Sequence, residues 1–213
     1  MPVLGVDLAA AARPGAMLRP LDASSYALQG GLEVLIVSRR EELGAALRRL
    51  QEAAAACAST TIAIDLEWRP DFRPGSDNPV ALVQLAAGSV CVLVRACLLG
   101  FPDELRSFLS DPAHTFVGLN WHTADARKML SSFGWETRHF GRFADLASVA
   151  SRTFYDLGGR PGLAALALRV LGVALPKDKA VTLSDWAAPT LSADQIRYAA
   201  LDAALVWRIH RRL

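Results

Sequence analysis

Thr60-Thr-Ile-Ala-Ile-Asp-Leu-Glu-Trp68 is the stretch on which the fold of this chain turns. Its β-branched Thr61, Ile62 and Ile64 favour an extended strand, and the Pro-, Gly- and Asp-rich run from Pro70 to Pro79 ends it. Alternation along a strand sends Asp65 and Glu67 to one face and Leu66 to the other. Cα atoms two apart on a strand are separated by about 6.5–7 Å, so both carboxylates can converge on one small object. Two anions at the end of an apolar strand repel each other and lose hydration unless something positive sits between them. A hard divalent cation such as Mg²⁺, which takes oxygen ligands, meets that need. A strand end running into solvent shows the same triplet, so the rest of the chain has to decide.

The 213 residues are 52% hydrophobic and 21% charged, which suits one globular domain with a sizeable core. A net charge of +2, from 23 Lys and Arg against 21 acids, announces no overall basic field, though a local patch can still form. Cys57, Cys91 and Cys97 contain no C-x-x-C pair and predict free buried thiols in a reducing compartment. His114, His122, His139 and His210 are scattered without H-x-x-x-H spacing, which argues against zinc. No apolar run approaches the roughly 18 residues of a membrane span. The N-terminal LAAAARPGAML, broken by Arg13 and Pro14, makes a poor secretory signal. The expected place is intracellular, in nucleus or cytoplasm ahead of an organelle.

Residues 1–31, rich in Ala, Gly, Pro and Ser without periodicity, are expected to form a flexible or loosely docked extension, with the domain proper at 32–213. Leu32–Val37 predicts a strand, and Ser38 with Glu41 predicts a capped helix over 39–56. Val80–Ala86 and Val90–Val94, joined by Ala87-Gly88-Ser89, predict a hairpin, which makes an antiparallel three-strand meander with the strand ending at Trp68. A helix from Pro102 to about Leu109, a strand at Thr115–Gly118, a helix over 123–133 and an edge strand near Arg138–Phe140 follow. Beyond Asp145 the pattern is helical, in pieces near 145–155, 161–172, 184–188 and 192–211. The sum is a mixed α/β sheet flanked by helices.

Two further places carry isolated acids. Tyr198 and Asp202, four apart on the last helix, share one face, with Ala199, Ala200, Ala203 and Ala204 around them to let the helix lie close on a sheet. Asp125 falls in the first turn of a helix that follows a strand. Each alone suits an ordinary helix. The order is distinctive: a D-x-E strand, an aspartate on a helix after a later strand, then Y-x-x-x-D near the end. It resembles the DEDD 3′–5′ exonucleases, and the tyrosine resembles their DEDDy branch, which includes ribonuclease D and the Werner-syndrome-type exonuclease domain. Ala63–Pro70, Val80–Ala86 and the run from Lys179 through Ser184-Asp185-Trp186 to Ala203 look like the Werner-type members, which usually have Asn where this chain has Asp185.

The resemblance covers about residues 32–213 and implies an RNase H-like fold with Asp65, Glu67, Asp125 and Asp202 at one sheet edge, holding two divalent cations, Mg²⁺ or Mn²⁺. It implies a two-metal hydrolysis that releases nucleoside 5′-monophosphates from the 3′ end of a nucleic acid. Tyr198, with an ordinary pKa near 10, is cast as orienting the attacking water. Substrate contacts are expected at Leu66, Trp68, Asn120 and Lys179, the last in a loop that also carries Lys177. Arg127 and Lys128 are expected as exposed helix charge, and Trp121 and Trp186 as core. The partner is single-stranded DNA or RNA, or a 3′ overhang, with a helicase or RNA-binding protein as a further partner and no membrane. The alternatives are a non-catalytic nucleic-acid-binding or scaffold module on the same fold and a phosphodiesterase of short oligonucleotides.

Overall fold

The structure, a computed structural model, describes residues 6–73, 75–157, 160–176 and 178–213. Among these, eight strands form one mixed sheet: β1 (Leu18–Pro20), β2 (Ser25–Leu28), β3 (Leu32–Val37), β4 (Thr61–Trp68), β5 (Val80–Ala87), β6 (Val90–Val94), β7 (Thr115–Gly118) and β8 (Phe143–Asp145). Their order across the sheet is β1-β2-β3-β6-β5-β4-β7-β8. The meander β4–β5–β6 is antiparallel as expected, while β3 runs parallel to β6, and β7 and β8 run parallel to β4 and to each other. Every residue of β5 and β6 is buried, so these strands are covered on both faces. Helix α2 (Arg40–Ala56) and the last helix, α9 (Ala193–His210), both lie over β5 and β6 and close the sheet into three layers.

The apolar stripe of α2 is Leu43, Ala46, Leu47, Leu50, Ala53 and Ala54, all buried. Its cap sits one residue later than Ser38 and Glu41 predict. Arg39 Nε and Nη2 hold one oxygen of Glu42 at 2.8 and 2.6 Å. That turns the other oxygen back onto the N–H groups of Ser38 and Arg39, both at 3.1 Å. On α9, Ser192 and Gln195 form the capping box, and Ala199, Ala200, Ala203 and Ala204 are buried where the helix meets the sheet. Trp207 Nε1 donates to the carbonyl of Thr61 at 2.9 Å, fixing α9 against the start of β4.

Along the chain between β6 and α9 come α3 (Ala96–Leu99), α4 (Asp103–Ser110), α5 (Asp125–Phe133) and α6 (Leu146–Thr153). Next come α7 (Leu163–Leu166), which continues into a π-helical turn at Ala167–Leu171, and α8 (Lys179–Thr182). The edge strand expected at 138–140 is a 3₁₀ turn, Thr137–His139. Phe140 instead packs among Trp121, Phe116 and Phe143, and Phe143–Asp145 supplies the strand beside β7. No helix forms at 184–188: the Asp185 side chain takes the Ala187 N–H at 3.0 Å, a local bond that competes with helix. Asp178 caps α8 through the Val181 N–H at 3.1 Å.

Residues 1–5 lie outside the described residues, but 6–31 are built into the domain. Helix α1 (Leu8–Ala11) is capped by Asp7, and Leu8, Ala11, Ala12 and Ala16 are buried. β1 and β2 add two antiparallel strands beyond β3. Only 18–20 and 25–28 pair, and strands that short show little periodicity in sequence.

Candidate active site

β4 carries Asp65 and Glu67 to its C-terminal end, where the pairing with β5 slips between Glu67 and Trp68. Such a bulge bends a strand and re-aims its side chains. Asp125 opens α5, just after β7, and Asp202 lies midway along α9 with Tyr198 one turn earlier. All five side chains are half-buried.

Their acidities show that they share one space. Loss of hydration is the main cause of each shift, and for all but Asp65 the neighbouring carboxylates add to it. Glu67 lies well above the usual carboxylate range, raised by desolvation and then by the charges of Asp65, Asp202 and Asp125. Asp125 is pushed up to about 8 by desolvation, then by Asp65 and, more weakly, Asp145. Asp202 also rises to about 8, from desolvation and Asp65, with the Tyr198 hydroxyl pulling it back. Asp65 rises to about 6 through desolvation, offset in part by the Leu66 N–H. The Tyr198 phenol is itself pushed up by burial and then by Asp202. No basic side chain contributes to the field at any of these five groups.

Gln84, directly across from Asp65 in the β4–β5 pair, shares its face of the sheet. It is fully buried, and neither its side-chain oxygen nor its nitrogen has a hydrogen-bond partner. A buried amide without partners is rare in native proteins. Its one signal in the sequence is a lone polar residue inside an apolar strand, Val80-Ala-Leu-Val-Gln-Leu-Ala86. Asp145 carries no local signal of its role, since its partners lie up to 25 residues away. Its carboxylate accepts from the N–H groups of Asn120, Trp121 and Ala147 at 3.0, 3.0 and 2.9 Å, which fixes the loop that delivers Asp125.

A family model described as 3′–5′ exonuclease matches residues 34–213. The chain belongs to the 3′–5′ exonuclease domain family. Among its relatives, an Arabidopsis thaliana 3′–5′ exonuclease is 30% identical over 156 residues, covering 71% of this chain and 52% of that protein. The human exonuclease 3′–5′ domain-containing protein 2 is 34% identical over 151 residues, covering 68% of this chain and 23% of that protein. The chain thus spans about half of the first relative or less of the others, including 11% of the mouse bifunctional 3′–5′ exonuclease/ATP-dependent helicase WRN. Among solved structures, Escherichia coli RNase D superposes with a TM-score of 0.68 at 22% identity, covering 84% of this chain and 43% of that one. The Aedes aegypti Nibbler EXO domain gives 0.66 at 23%, covering 84% and 86%. These likenesses establish the RNase H-like exonuclease fold.

The residues expected to touch substrate are placed unequally in this exonuclease domain. Leu66 is 3% exposed and faces away from Asp65 and Glu67, so its side chain belongs to the core and only its backbone is left for a strand. Trp68 is half-buried, its ring facing the Lys128 ammonium at 5.2 Å. Asn120 adopts a left-handed φ of 53° and donates its side-chain N–H to the Pro161 carbonyl at 3.1 Å, while its side-chain oxygen is buried and unpartnered. Lys179 opens α8, exposed, while Lys177 lies outside the described residues. Trp121 and Trp186 are core, as expected, Trp186 packing against Tyr198 with ring centroids 6.0 Å apart.

Lys128 overturns the expectation of exposed helix charge. It is completely buried and donates to Asp71, Asp77 and the Asn78 carbonyl at 2.7, 2.7 and 2.8 Å. The periodicity of α5 could not foresee this, because the acceptors come from a loop some 50 residues earlier.

Proposed function

We propose that this domain removes nucleoside 5′-monophosphates one at a time from the 3′ end of a single-stranded nucleic acid or a 3′ overhang, with divalent cations held by Asp65, Glu67, Asp125 and Asp202. The observation that carries it is the gathering of four half-buried carboxylates from three separate segments, with the charge of Asp65 felt by the other three and no basic side chain in their field. Such a cluster needs positive charge from outside the chain.

The donor set fits hard divalent cations in kind: carboxylate oxygens on one side, and an unpartnered amide oxygen and nitrogen of Gln84 on the same sheet face, able to hold water. Among the described residues, no three His, Cys, Asp or Glu side chains already stand as they would around a bound ion. Side-chain rotation on binding is therefore part of the proposal. Two Mg²⁺ or Mn²⁺ ions would neutralise the cluster and stabilise charge on the attacking and leaving oxygens of an in-line displacement. Water attacks the terminal phosphorus, the bond to the 3′ oxygen of the penultimate nucleotide breaks, and that oxygen leaves with a proton.

With no metal bound, burial and Asp202 raise the Tyr198 pKa above the ordinary tyrosine value. Tyr198 therefore serves as a hydrogen-bonding group that orients the attacking water, not as the base. Trp68, Asn120 and Lys179, with the Leu66 backbone, line the approach of the strand in this reading. A helicase or RNA-binding protein is the partner class that would present a free single-stranded end. Cys57, Cys91 and Cys97 are all free, which suits a reducing intracellular compartment such as nucleus or cytoplasm, but only Cys91 is buried as expected, with Cys57 half-buried and Cys97 exposed. No helix among the described residues is long and apolar enough to cross a membrane.

The test uses 5′-labelled single-stranded RNA and DNA with Mg²⁺, with Mn²⁺ and with EDTA, comparing wild type with Asp65→Ala. The expected result is a ladder shortening from the 3′ end that chelator and substitution both abolish. Shortening that persists in Asp65→Ala would exclude the proposal.

A further inference from the structure

We propose that the segment Ala11–Gly15 forms a second wall of the strand-binding cleft, with Arg13 holding a backbone phosphate of the substrate. This rests on the exonuclease reading of the Asp65 cluster. The segment precedes residue 34, where the family match begins, so this wall lies outside the matched residues.

A cavity of about 480 Å³ opens beside the site, with Tyr198 and Asp202 in its lining. That is within the range of cavities that enclose a small organic ligand, and so fits one nucleotide unit. One side comes from α7, α8 and α9; the other is the N-terminal arm, Ala11–Gly15. The arm is held in place by several bonds. Arg197 Nη1 donates to the Ala16 carbonyl at 2.8 Å, and the Asp7 N–H donates to the Gly30 carbonyl at 2.7 Å. The Met17 N–H bonds the Gln29 side chain at 3.1 Å, and the Gln29 N–H returns a bond to the Met17 carbonyl at 2.8 Å.

The charges in this lining point to a polyanion. Its acids have other engagements: Asp178 caps α8, Asp194 pairs with Arg197, and Asp202 belongs to the carboxylate cluster. Arg13 and Lys179 are exposed, and neither has an ion-pair partner among the described residues. Two uncommitted cations flank apolar wall formed by Ala12, Pro14, Leu175 and Leu201. Phosphates suit the cations, and a sugar or base face suits the apolar wall. A single strand running along the cavity toward Asp202 provides both.

Steady-state cleavage of a single-stranded decanucleotide tests this, across a range of salt concentrations, with Arg13→Glu, Arg13→Lys and the control Arg19→Glu. Arg19 is exposed on β1, away from the cavity, and its substitution changes the net charge equally. Arg13→Glu is expected to raise KM about tenfold, with the loss falling on KM more than on kcat, and to flatten the salt dependence by about one phosphate contact. Arg13→Lys should restore most of the affinity. Equal effects of Arg13→Glu and Arg19→Glu, or none from either, would overturn the arm's role. If the wild type cleaves neither RNA nor DNA, the exonuclease reading fails. The arm is then judged by fluorescence anisotropy of the same labelled decanucleotide, where unchanged affinity in Arg13→Glu overturns it.

Discussion

Asp125 and Lys128 stand one turn apart on the same face of α5, and both bury charge, yet their surroundings are opposite. Around Lys128 the chain supplies the counter-charge itself: two carboxylates and a carbonyl within 2.8 Å. That closed arrangement ties the loop after β4 to α5, and it holds the Asp77 carboxyl down at about 2. Around Asp125 the neighbours are further acids, and lost hydration together with their charge pushes its carboxyl up to about 8. A buried charge balanced inside the chain is architecture, whereas one left unbalanced waits for something to bind.

Four measurements break or sharpen that contrast. The largest effect is expected from Asp125→Asn, which keeps the shape and removes one charge. Nuclease activity should fall by about 10³-fold, equivalent to about 4 kcal/mol of transition-state stabilisation. Its urea midpoint without metal should stay level or rise, since a repelling charge is gone. A lowered midpoint would place Asp125 with Lys128 as a structural charge.

Lys128→Met is the converse. It leaves Asp71 without its cation and Asp77 with Arg127 alone, removes three hydrogen bonds from a buried ammonium, and should cost about 3 kcal/mol of stability, read from the same urea transitions. Stability within 0.5 kcal/mol of wild type, taken as roughly the error of such measurements, would show that the clamp is idle.

Removing metal with EDTA should make stability depend on pH in a definite direction. The carboxyls of Asp65, Asp125 and Asp202 have folded pKa values of about 6, 8 and 8, above their unfolded values. Between about pH 4 and 8 the folded state therefore binds more protons than the unfolded, and stability falls as pH rises. Mg²⁺ at about 100 times its Kd should return about 2.7 kcal/mol near neutral pH. Thermal melts that stay flat from pH 5 to 8 without metal would count against the cluster.

The smallest effect is expected at Gln84. Gln84→Met exchanges an unpartnered buried amide for an apolar side chain of similar size and should raise stability by about 1 kcal/mol. Activity should drop about tenfold, or about 1.4 kcal/mol, if the amide supports water beside Asp65. Stability gained with activity unchanged would make Gln84 a packing residue alone.

Much of this was legible in the chain. β-branched residues and alternation located β4, and the hairpin after it followed from two apolar runs around Gly88, which takes a φ of +59° in the turn. The Ser192–Gln195 cap and the alanine face of α9 were equally visible. Local rules did less well where a side chain chose between neighbours. Glu42 rather than Glu41 closed the cap of α2, and Phe140 left the edge of the sheet for the aromatic cluster.

Short-range periodicity thus determined which residues lie in strands and helices, and the order of acidic residues along the chain marked the family. Tertiary structure alone decided which charges meet. Lys128 finds its acceptors some 50 residues away, and Arg197 fixes an arm 181 residues distant. Gln84 faces Asp65 only because β5 pairs with β4 in one register. Burial and electrostatic fields depend on distances in space, and a linear sequence records spacing only along the backbone.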